Sequence, residues 1–135
     1  MRDQPAGRGT ILLVEDEPFV ALVAQQVLED HGFAVTVATH GRAALAQVAG
    51  GGAPADALVL ALVDMGLPDM GGDEVVRALR RFRPDLPVVI ATGYAAEEVE
   101  ARLAGTERVT IIRKPYDVAT LRAALRRFGI EVPED

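Results

Sequence analysis

The chain has 135 residues, half of them hydrophobic and a quarter charged, so a single folded domain with a buried core accounts for its length. The net charge of -6 argues against a nucleic-acid surface, and the lack of cysteine excludes disulfides and thiolate metal sites. The longest apolar run is shorter than a bilayer span, and the N-terminus shows no secretory signal. We therefore expect a cytoplasmic protein that neither binds nucleic acid nor inserts into a membrane.

The first strand and helix are predicted directly after a flexible tail of residues 1–9. An apolar run at 11–14 predicts the strand, and three acidic residues follow it. Pro18 suits the first turn of a helix, which we expect to end at His31 and Gly32. Helical spacing predicts that the helix turns a core-facing stripe towards the sheet, made of Val20, Val23, Ala24, Val27 and Leu28.

The middle of the chain contains a half-exposed strand, a short helix and a fully buried strand. Apolar residues alternate at 34–38, which is typical of a strand with one exposed face. A short helix is predicted from about Gly41, followed by a flexible loop at 50–54. Seven apolar residues then run from Ala57 to Val63 and stop at Asp64, a pattern typical of a strand buried on both faces of a parallel sheet. Glycines and Pro68 break the chain after it.

Three further helices alternate with two further strands in the second half. Asp73 and Asp117 are predicted to cap the third and fifth helices. The helix between them, Ala95 to Leu103, is polar, and we expect it to be the least firmly anchored. The strands are predicted at 88–91 and 109–112. The core residues predicted for these helices are Val75, Val76, Leu79 and Phe82 in the third, Val99 and Leu103 in the fourth, and Val118, Leu121, Leu125 and Phe128 in the fifth.

Strand and helix therefore alternate five times, which predicts an α/β fold with a doubly wound, five-stranded parallel sheet. Right-handed crossovers and the half-exposed second strand favour the order 2-1-3-4-5, a flavodoxin-like three-layer sandwich. We assign residues 10–130 to this single domain and residues 131–135 to a C-terminal tail.

Polar residues stand at the carboxyl ends of the predicted strands, which share one edge of such a sheet. Glu15 and Asp16 follow the first strand and Asp64 ends the third, while Thr92 and Lys114 follow the fourth and fifth. Neighbouring carboxylates near a protein surface repel by roughly 4 kcal/mol per pair, so the cluster implies a bound cation. Oxygen ligands suit Mg²⁺. With an ammonium group nearby, Asp64 is predicted to be a nucleophile towards phosphorus.

Four stretches of the sequence carry a family pattern: ILLVEDEP at 11–18, LVDMGLPDMGG at 62–72, VVIATGY at 88–94 and IIRKPYD at 111–117. They resemble the CheY-like receiver domain of bacterial response regulators over almost the whole chain. The ATGY segment is similar to a subgroup of single-domain receivers with a Phe-Ala-Thr-Gly consensus, with Ile90 in place of the Phe. The common acidic pair Asp-Asp is here Glu15-Asp16.

The resemblance implies that a histidine kinase or phosphotransfer protein donates a phosphoryl group to Asp64, in a two-component phosphorelay that signals to an unknown downstream protein. The chain would then be a phosphoacceptor that assists its own phosphorylation and dephosphorylation, not an enzyme, and would have no DNA-binding output domain. The implied ligands of Mg²⁺ are Asp16, Asp64 and the backbone carbonyl of Gly66, with Glu15 acting largely through water. The implied phosphoryl contacts are Thr92, Lys114 and the amide of Gly93.

The residues that the resemblance connects with output depart from the family. Ile111 stands three residues before Lys114, where the family usually has Tyr or Phe. The resemblance also implies a cis peptide bond at Pro115. We assign Tyr94, Ile111, Pro115 and Tyr116 to the switch region, and we expect Tyr116 to pack beside the Lys-Pro turn.

A second stripe on the first helix is predicted to bind the kinase. It consists of Phe19, Leu22 and Gln26, at offsets of three and four. Two large apolar residues without a predicted core partner, next to a reactive site, indicate an interface. The alternative is that neighbouring loops cover them.

Three other functions fit parts of the pattern. The chain could be a receiver excised from a hybrid histidine kinase, or a pseudo-receiver that binds proteins without ever carrying phosphate. A phosphohydrolase of the haloacid dehalogenase type also uses an Asp nucleophile, but its DxD motif lies on the first strand, whereas Asp64 lies on the third and lacks the second Asp.

Overall fold

The structure is a computed structural model that describes residues 9–50, 58–93 and 96–130. Outside these ranges lie residues 1–8 of the tail predicted at 1–9, most of the loop predicted at 50–54, the tail predicted at 131–135 and the switch residue Tyr94. Within them, strands and helices alternate along the chain as predicted. The elements are β1 (Thr10–Val14), α1 (Pro18–Asp30), β2 (Ala34–Ala38), α2 (Gly41–Gly50), β3 (Leu58–Asp64), α3 (Gly72–Phe82), β4 (Val88–Thr92), α4 (Ala96–Arg102), β5 (Val109–Arg113) and α5 (Val118–Arg127).

The five strands form one parallel sheet in the order β2-β1-β3-β4-β5, which confirms the predicted topology. Register aligns the strand ends: Val14 lies opposite Val63, and Asp64 lies opposite Ala91. The residues that follow β1, β3, β4 and β5 therefore meet at one edge of the sheet. β2 is only partly buried along most of its length, as expected for an edge strand.

Two hydrophobic clusters cover the two faces of the sheet and complete the three-layer, CheY-like sandwich. Alternate side chains of β1 enter different clusters: Leu12 and Val14 face α2, α3 and α4, whereas Ile11 and Leu13 face α1 and α5. This is the period-two alternation of a strand buried on both faces. Among the described residues, no helix is long and apolar enough to cross a membrane.

Three predicted core residues are exposed instead. The buried side of α1 is Ala21, Ala24 and Leu28, so the stripe is rotated away from Val23, which is 48% exposed. Phe82 is the last residue of α3 and Val118 the first of α5, and they are 45% and 36% exposed. Helical spacing fixes the centre of an apolar stripe but not how far its ends extend over the sheet.

The two predicted caps have different outcomes. Asp117 is the N-cap of α5, and its carboxylate accepts a hydrogen bond from the Thr120 amide at 2.8 Å. The prediction for Asp73 is wrong, because the N-cap of α3 is Gly71, whose amide donates to Glu74 Oε1 at 2.9 Å. Asp73 lies in the first turn of α3, is buried, and is 3.4 Å from the Arg77 guanidinium.

His31 closes the C-terminus of α1 and joins it to α5. Its Nδ1 lies 2.7 Å from the Val27 carbonyl oxygen, and its Nε2 accepts a hydrogen bond from Arg122 Nε at 3.0 Å. This pair of contacts fits the neutral tautomer with the proton on Nδ1. The predicted end of the helix at His31 is thereby confirmed.

Candidate functional site

Three carboxylates meet at the carboxyl edge of the sheet, where the sequence predicted them. Asp64 ends β3 and is 6% exposed, and Glu15 follows β1 and is 2% exposed. Asp16, next in sequence, is exposed. One oxygen from each of the three carboxylates lies within 4.8 Å of the others. Because buried carboxylates are costly without a compensating charge, this arrangement needs cations.

Local hydrogen bonds hold the two buried carboxylates in place. The Glu17 amide donates to Glu15 Oε2 at 3.2 Å, and the Gly66 amide donates to Asp64 Oδ1 at the same distance. The loop after β3 leads into α3, whose first residue is Gly72. A Cβ atom at Gly72 would lie only 2.9 Å from the carbonyl oxygen of Asp64. Only glycine fits there without displacing the strand end.

Lys114 supplies the positive charge that the sequence predicted. Its Nζ lies 3.4 Å from Asp64 Oδ1 and 3.5 Å from Glu15 Oε1. The Lys114 amide donates to the Thr92 carbonyl at 2.8 Å, which extends the β4–β5 pairing by one residue and carries the side chain over the cluster. The Lys114–Pro115 peptide bond is cis, as the family resemblance implied.

Burial and neighbouring charges both shift the pKa values of Glu15 and Lys114. Burial raises the pKa of Glu15, and the Asp64 carboxylate adds to the rise, while the Glu17 amide and Lys114 oppose it. Burial acts to lower the pKa of Lys114, but the attraction of Asp64 and Glu15 outweighs it, so that the pKa is raised. Lys114 is therefore held in its charged form by the carboxylates that it contacts.

Most of the predicted site residues line a cleft of about 430 Å³. Thr92, the buried last residue of β4, and the exposed Gly93 line the cleft together with Asp64, Gly66 and Lys114. The predicted phosphoryl contacts thus surround the predicted acceptor.

The donor set of this cluster fits a hard divalent cation. Three carboxylates with an open cleft beside them offer oxygen ligands and room for water, which is the environment that Mg²⁺ favours. The predicted fourth contributor, the Gly66 carbonyl, belongs to a residue that lines the same cleft. The residues present are therefore compatible with Mg²⁺, although no ion forms part of the structure.

The predicted switch residues are spread over two places. Tyr116 is partly buried beside the cluster formed by α1 and α5, and burial, reinforced by Glu15 and Asp64, raises its pKa to about 12. Tyr116 directly follows the Lys114–Pro115 peptide bond, so its partly buried position agrees with the expected packing beside this turn. Ile111 packs against the opposite cluster and lines a separate cavity of about 280 Å³ with Leu103 and Thr106. Pro115 is exposed.

The predicted partner face on α1 is exposed. Phe19 and Leu22 are 73% and 52% exposed, and Gln26 is exposed beside them. The alternative, in which loops cover these residues, does not hold for the loops that the structure describes. Val23 joins them, so the apolar patch is wider than the sequence predicted.

Sequence reasoning did not assign any residue of α4 to the cleft, although two of its charged side chains line it. Glu98 and Arg102, on α4, line the same cleft as Asp16 and Asp64. Their spacing of four residues places them on one side of the helix, which could have been noticed. No local pattern in the sequence indicates that this side of α4 faces the cleft.

Comparison with known proteins agrees with this geometry. The model of the response regulator receiver domain matches residues 11–126. The transcriptional regulatory protein YkoG of Bacillus subtilis is 34% identical over 94% of this chain, and the sensor kinase CckA of Brucella abortus is 29% identical over 91%. The chain spans 55% of the regulator's length and 13% of the kinase's length.

Solved structures show the same fold. The response regulator receiver protein of Sinorhizobium medicae has a TM-score of 0.78 and 30% identity, and the match covers 90% of this chain and 94% of that one. The family match includes Glu15, Asp64 and Lys114. The chain therefore belongs to the response regulator receiver domain family.

Proposed function

We propose that this receiver domain accepts a phosphoryl group on Asp64 from the phosphohistidine of a histidine kinase or phosphotransfer protein. One observation carries the proposal: Lys114 Nζ lies 3.4 Å from Asp64 Oδ1, beside two further carboxylates and at the edge of an open cleft. An isolated carboxylate in a loop would need neither the ammonium group of Lys114 nor the buried carboxylate of Glu15 beside it.

Phosphoryl transfer needs positioning and charge compensation more than covalent help from the protein. An oxygen of Asp64 forms the new bond to phosphorus, while the P–N bond of the donor breaks and its electron pair returns to the imidazole nitrogen, which takes up a proton. Lys114, the Thr92 hydroxyl and the Gly93 amide would bind the phosphoryl oxygens, and all three residues line the cleft that contains Asp64.

Asp16, Asp64 and the Gly66 carbonyl would hold Mg²⁺, with Glu15 contributing largely through water. When bound, the ion would offset the negative charge shared by the nucleophile and the phosphoryl oxygens. We infer that the chain is not an enzyme acting on a separate substrate, but a phosphoacceptor that assists its own Mg²⁺-dependent phosphorylation and dephosphorylation.

We place the signal output in protein–protein contacts of a cytoplasmic domain. The net charge of -6 disfavours nucleic acid, and the exposed patch of Phe19, Leu22 and Gln26 offers an apolar surface close to the site. The downstream target is a protein that distinguishes the phosphorylated from the unphosphorylated state.

The similarity to the sensor kinase CckA supports a second molecular context for this domain. In that context the same domain would be the receiver of a hybrid histidine kinase, and its acceptor chemistry would be the same. The pseudo-receiver alternative is disfavoured, because Asp64, Thr92 and Lys114 all line one cleft. The dehalogenase-type alternative lacks support from the comparisons.

Intact mass spectrometry tests the proposal. Incubation with acetyl phosphate and Mg²⁺ should add one phosphoryl group, and chelation of Mg²⁺ should prevent the addition. Asp64→Ala should abolish it, whereas the matched variant Asp30→Ala, which changes an exposed acid on α1, should not. A phosphoryl adduct that persists in Asp64→Ala would contradict the assignment. Rapid turnover of a phosphomonoester would instead favour a phosphohydrolase.

A further inference from the structure

The cleft at Asp64 contains a second cation that the proposed function does not use. Arg102, on α4, lines the cleft together with Asp16 and Asp64. Lys114 is already engaged with Asp64 and Glu15, but within the described ranges the Arg102 side chain has no hydrogen bond or ion pair. A guanidinium without a partner among the described residues, beside the proposed phosphoryl site, calls for an explanation.

Two buried residues and one hydrogen bond hold the backbone at Arg102, although its side chain is exposed. Val99 and Leu103, one turn before and one residue after, are 4% and 5% exposed and anchor this end of α4 in the core. The Arg102 carbonyl accepts a hydrogen bond from Arg77 Nη2 at 3.0 Å, and Arg77 is paired with the buried Asp73. The Arg102 guanidinium therefore extends from a helix end that the core and Arg77 hold beside the cleft.

The balance of charge around Asp64 indicates a role for the Arg102 guanidinium. Glu15, Asp16 and Asp64 carry three negative charges, which a divalent cation and Lys114 together balance. A phosphoryl group on Asp64 replaces one carboxylate charge by about two negative charges, which leaves an excess of about one. One further cation within reach restores the balance, and a guanidinium can bind two phosphoryl oxygens at once.

We propose that Arg102 is a second cationic contact for the phosphoryl group on Asp64, acting beside Lys114. The inference rests on the proposed function, since it needs Asp64 to be the acceptor. Glu98, four residues earlier on the same face of α4, also lines the cleft and competes for the guanidinium. Arg102 thus stabilises the phosphorylated state and Glu98 opposes it.

Binding of beryllofluoride at saturating Mg²⁺, followed by NMR titration, tests the proposal without any turnover. Arg102→Ala should raise the dissociation constant of beryllofluoride about two- to fivefold, the range expected for one exposed ion pair. Arg81→Ala, which removes an exposed arginine of α3 outside the cleft, should leave it unchanged. Glu98→Gln should shift the constant in the opposite direction. The Arg102 effect should shrink in 1 M NaCl, where charges are screened beyond about 3 Å.

Mg²⁺ affinity in the absence of beryllofluoride separates a direct contact from damage to the fold. Loss of a cation near the acidic cluster should leave Mg²⁺ binding unchanged or tighter in Arg102→Ala. Weaker binding of both ligands would indicate a disturbed structure and overturn the proposal, as would a beryllofluoride constant equal to that of Arg81→Ala. If the unsubstituted protein binds no beryllofluoride, the proposed function itself fails, and the role of Arg102 fails with it.

Discussion

The carboxylate of Asp69 lies 2.8 Å from the Gly41 amide, although 28 residues separate the two in sequence. Its other oxygen accepts from the Arg42 amide at 2.9 Å. The first turn of α2 is thus capped by the loop that follows Asp64. Met70 packs so tightly on Gly41 that a Cβ there would overlap its side chain. α2 and the loop that follows Asp64 therefore form one structural unit.

This cap predicts a pH-dependent contribution of Asp69 to stability. The Arg42 amide, followed by the Gly41 amide, holds the pKa of Asp69 below its ordinary value of 3.8. A lowered folded-state pKa contributes stability above pH 3.8, and this contribution disappears as pH falls through the folded-state value. Asp69→Ala should therefore lower the Tm at pH 7, and the difference from the unsubstituted protein should narrow below pH 4.

Thermal unfolding at several pH values provides the measurement. Asp30→Ala serves as the control, because this exposed acid of α1 caps no helix. A Tm difference for Asp69→Ala that stays constant from pH 7 to pH 3 would show that its charge plays no part in the cap.

Removal of a predicted Mg²⁺ ligand should lower the affinity for Mg²⁺, whereas removal of Lys114 should not. Asp16→Ala takes away a carboxylate and should weaken Mg²⁺ binding by at least about tenfold, since even outer partners of metal ligands cost that much. Lys114→Ala takes away a positive charge 3.4 Å from Asp64 and should leave binding unchanged or tighter. Calorimetric titration of both variants decides the point. Loss of Mg²⁺ binding in the lysine variant would contradict these roles.

The exposed patch on α1 predicts a kinase-docking surface. Leu22→Arg should slow transfer from the cognate kinase about tenfold, because a charge in an apolar interface replaces a buried contact. Labelling by acetyl phosphate should stay intact, because the patch does not line the cleft. Phe82→Arg is a matched control, since Phe82 is 45% exposed at the far end of α3. Equal loss of both reactions in Leu22→Arg would indicate misfolding instead.

The strand order and the polar edge of the sheet could be predicted because they depend on local patterns. Continuous apolar runs identified the buried strands, and one polar residue after each run placed Asp64 and Lys114 at the same edge. The wrong core predictions lie at the flanks and ends of the helical apolar stripes, where the sequence pattern does not define a boundary. Val23 and Val118 satisfy helical spacing, but the tilt of each helix on the sheet decides which flank is covered.

Contacts between distant segments could not be predicted from such patterns. Asp69 could be read only as a loop residue, because nothing near it in sequence indicates that its partners are the amides of Gly41 and Arg42. Arg102 is a similar case, since its role depends on which side of α4 faces the cleft. Gly71 and Asp73 are both acceptable caps, and only the path of the chain after Gly66 selects between them.

The last prediction concerns how the phosphoryl signal leaves the site. In related receivers an aromatic ring on the fifth strand is expected to move behind the threonine, but here Ile111 occupies that place and is stiff at χ1. α4 offers another element that can change state. It has seven residues, and its attachment rests on Val99, the adjoining Leu103 and the bond from Arg77 to the Arg102 carbonyl. We expect Thr92, Gly93 and Tyr94 to pull on the start of this helix when the acceptor is occupied.

Amide hydrogen exchange with and without beryllofluoride and Mg²⁺ tests this relay. Changed protection should concentrate between residues 94 and 106. Arg77→Ala removes the tether at the end of α4, so it should speed exchange there in the unoccupied state, while an alanine at the neighbouring exposed Arg81 should not. Equal protection of this segment in both states, with the change located elsewhere, would exclude α4 as the relay even if Asp64 is the phosphoacceptor. Because the Arg77 bond is made to a backbone carbonyl, its loss loosens the helix without altering any side chain that lines the cleft.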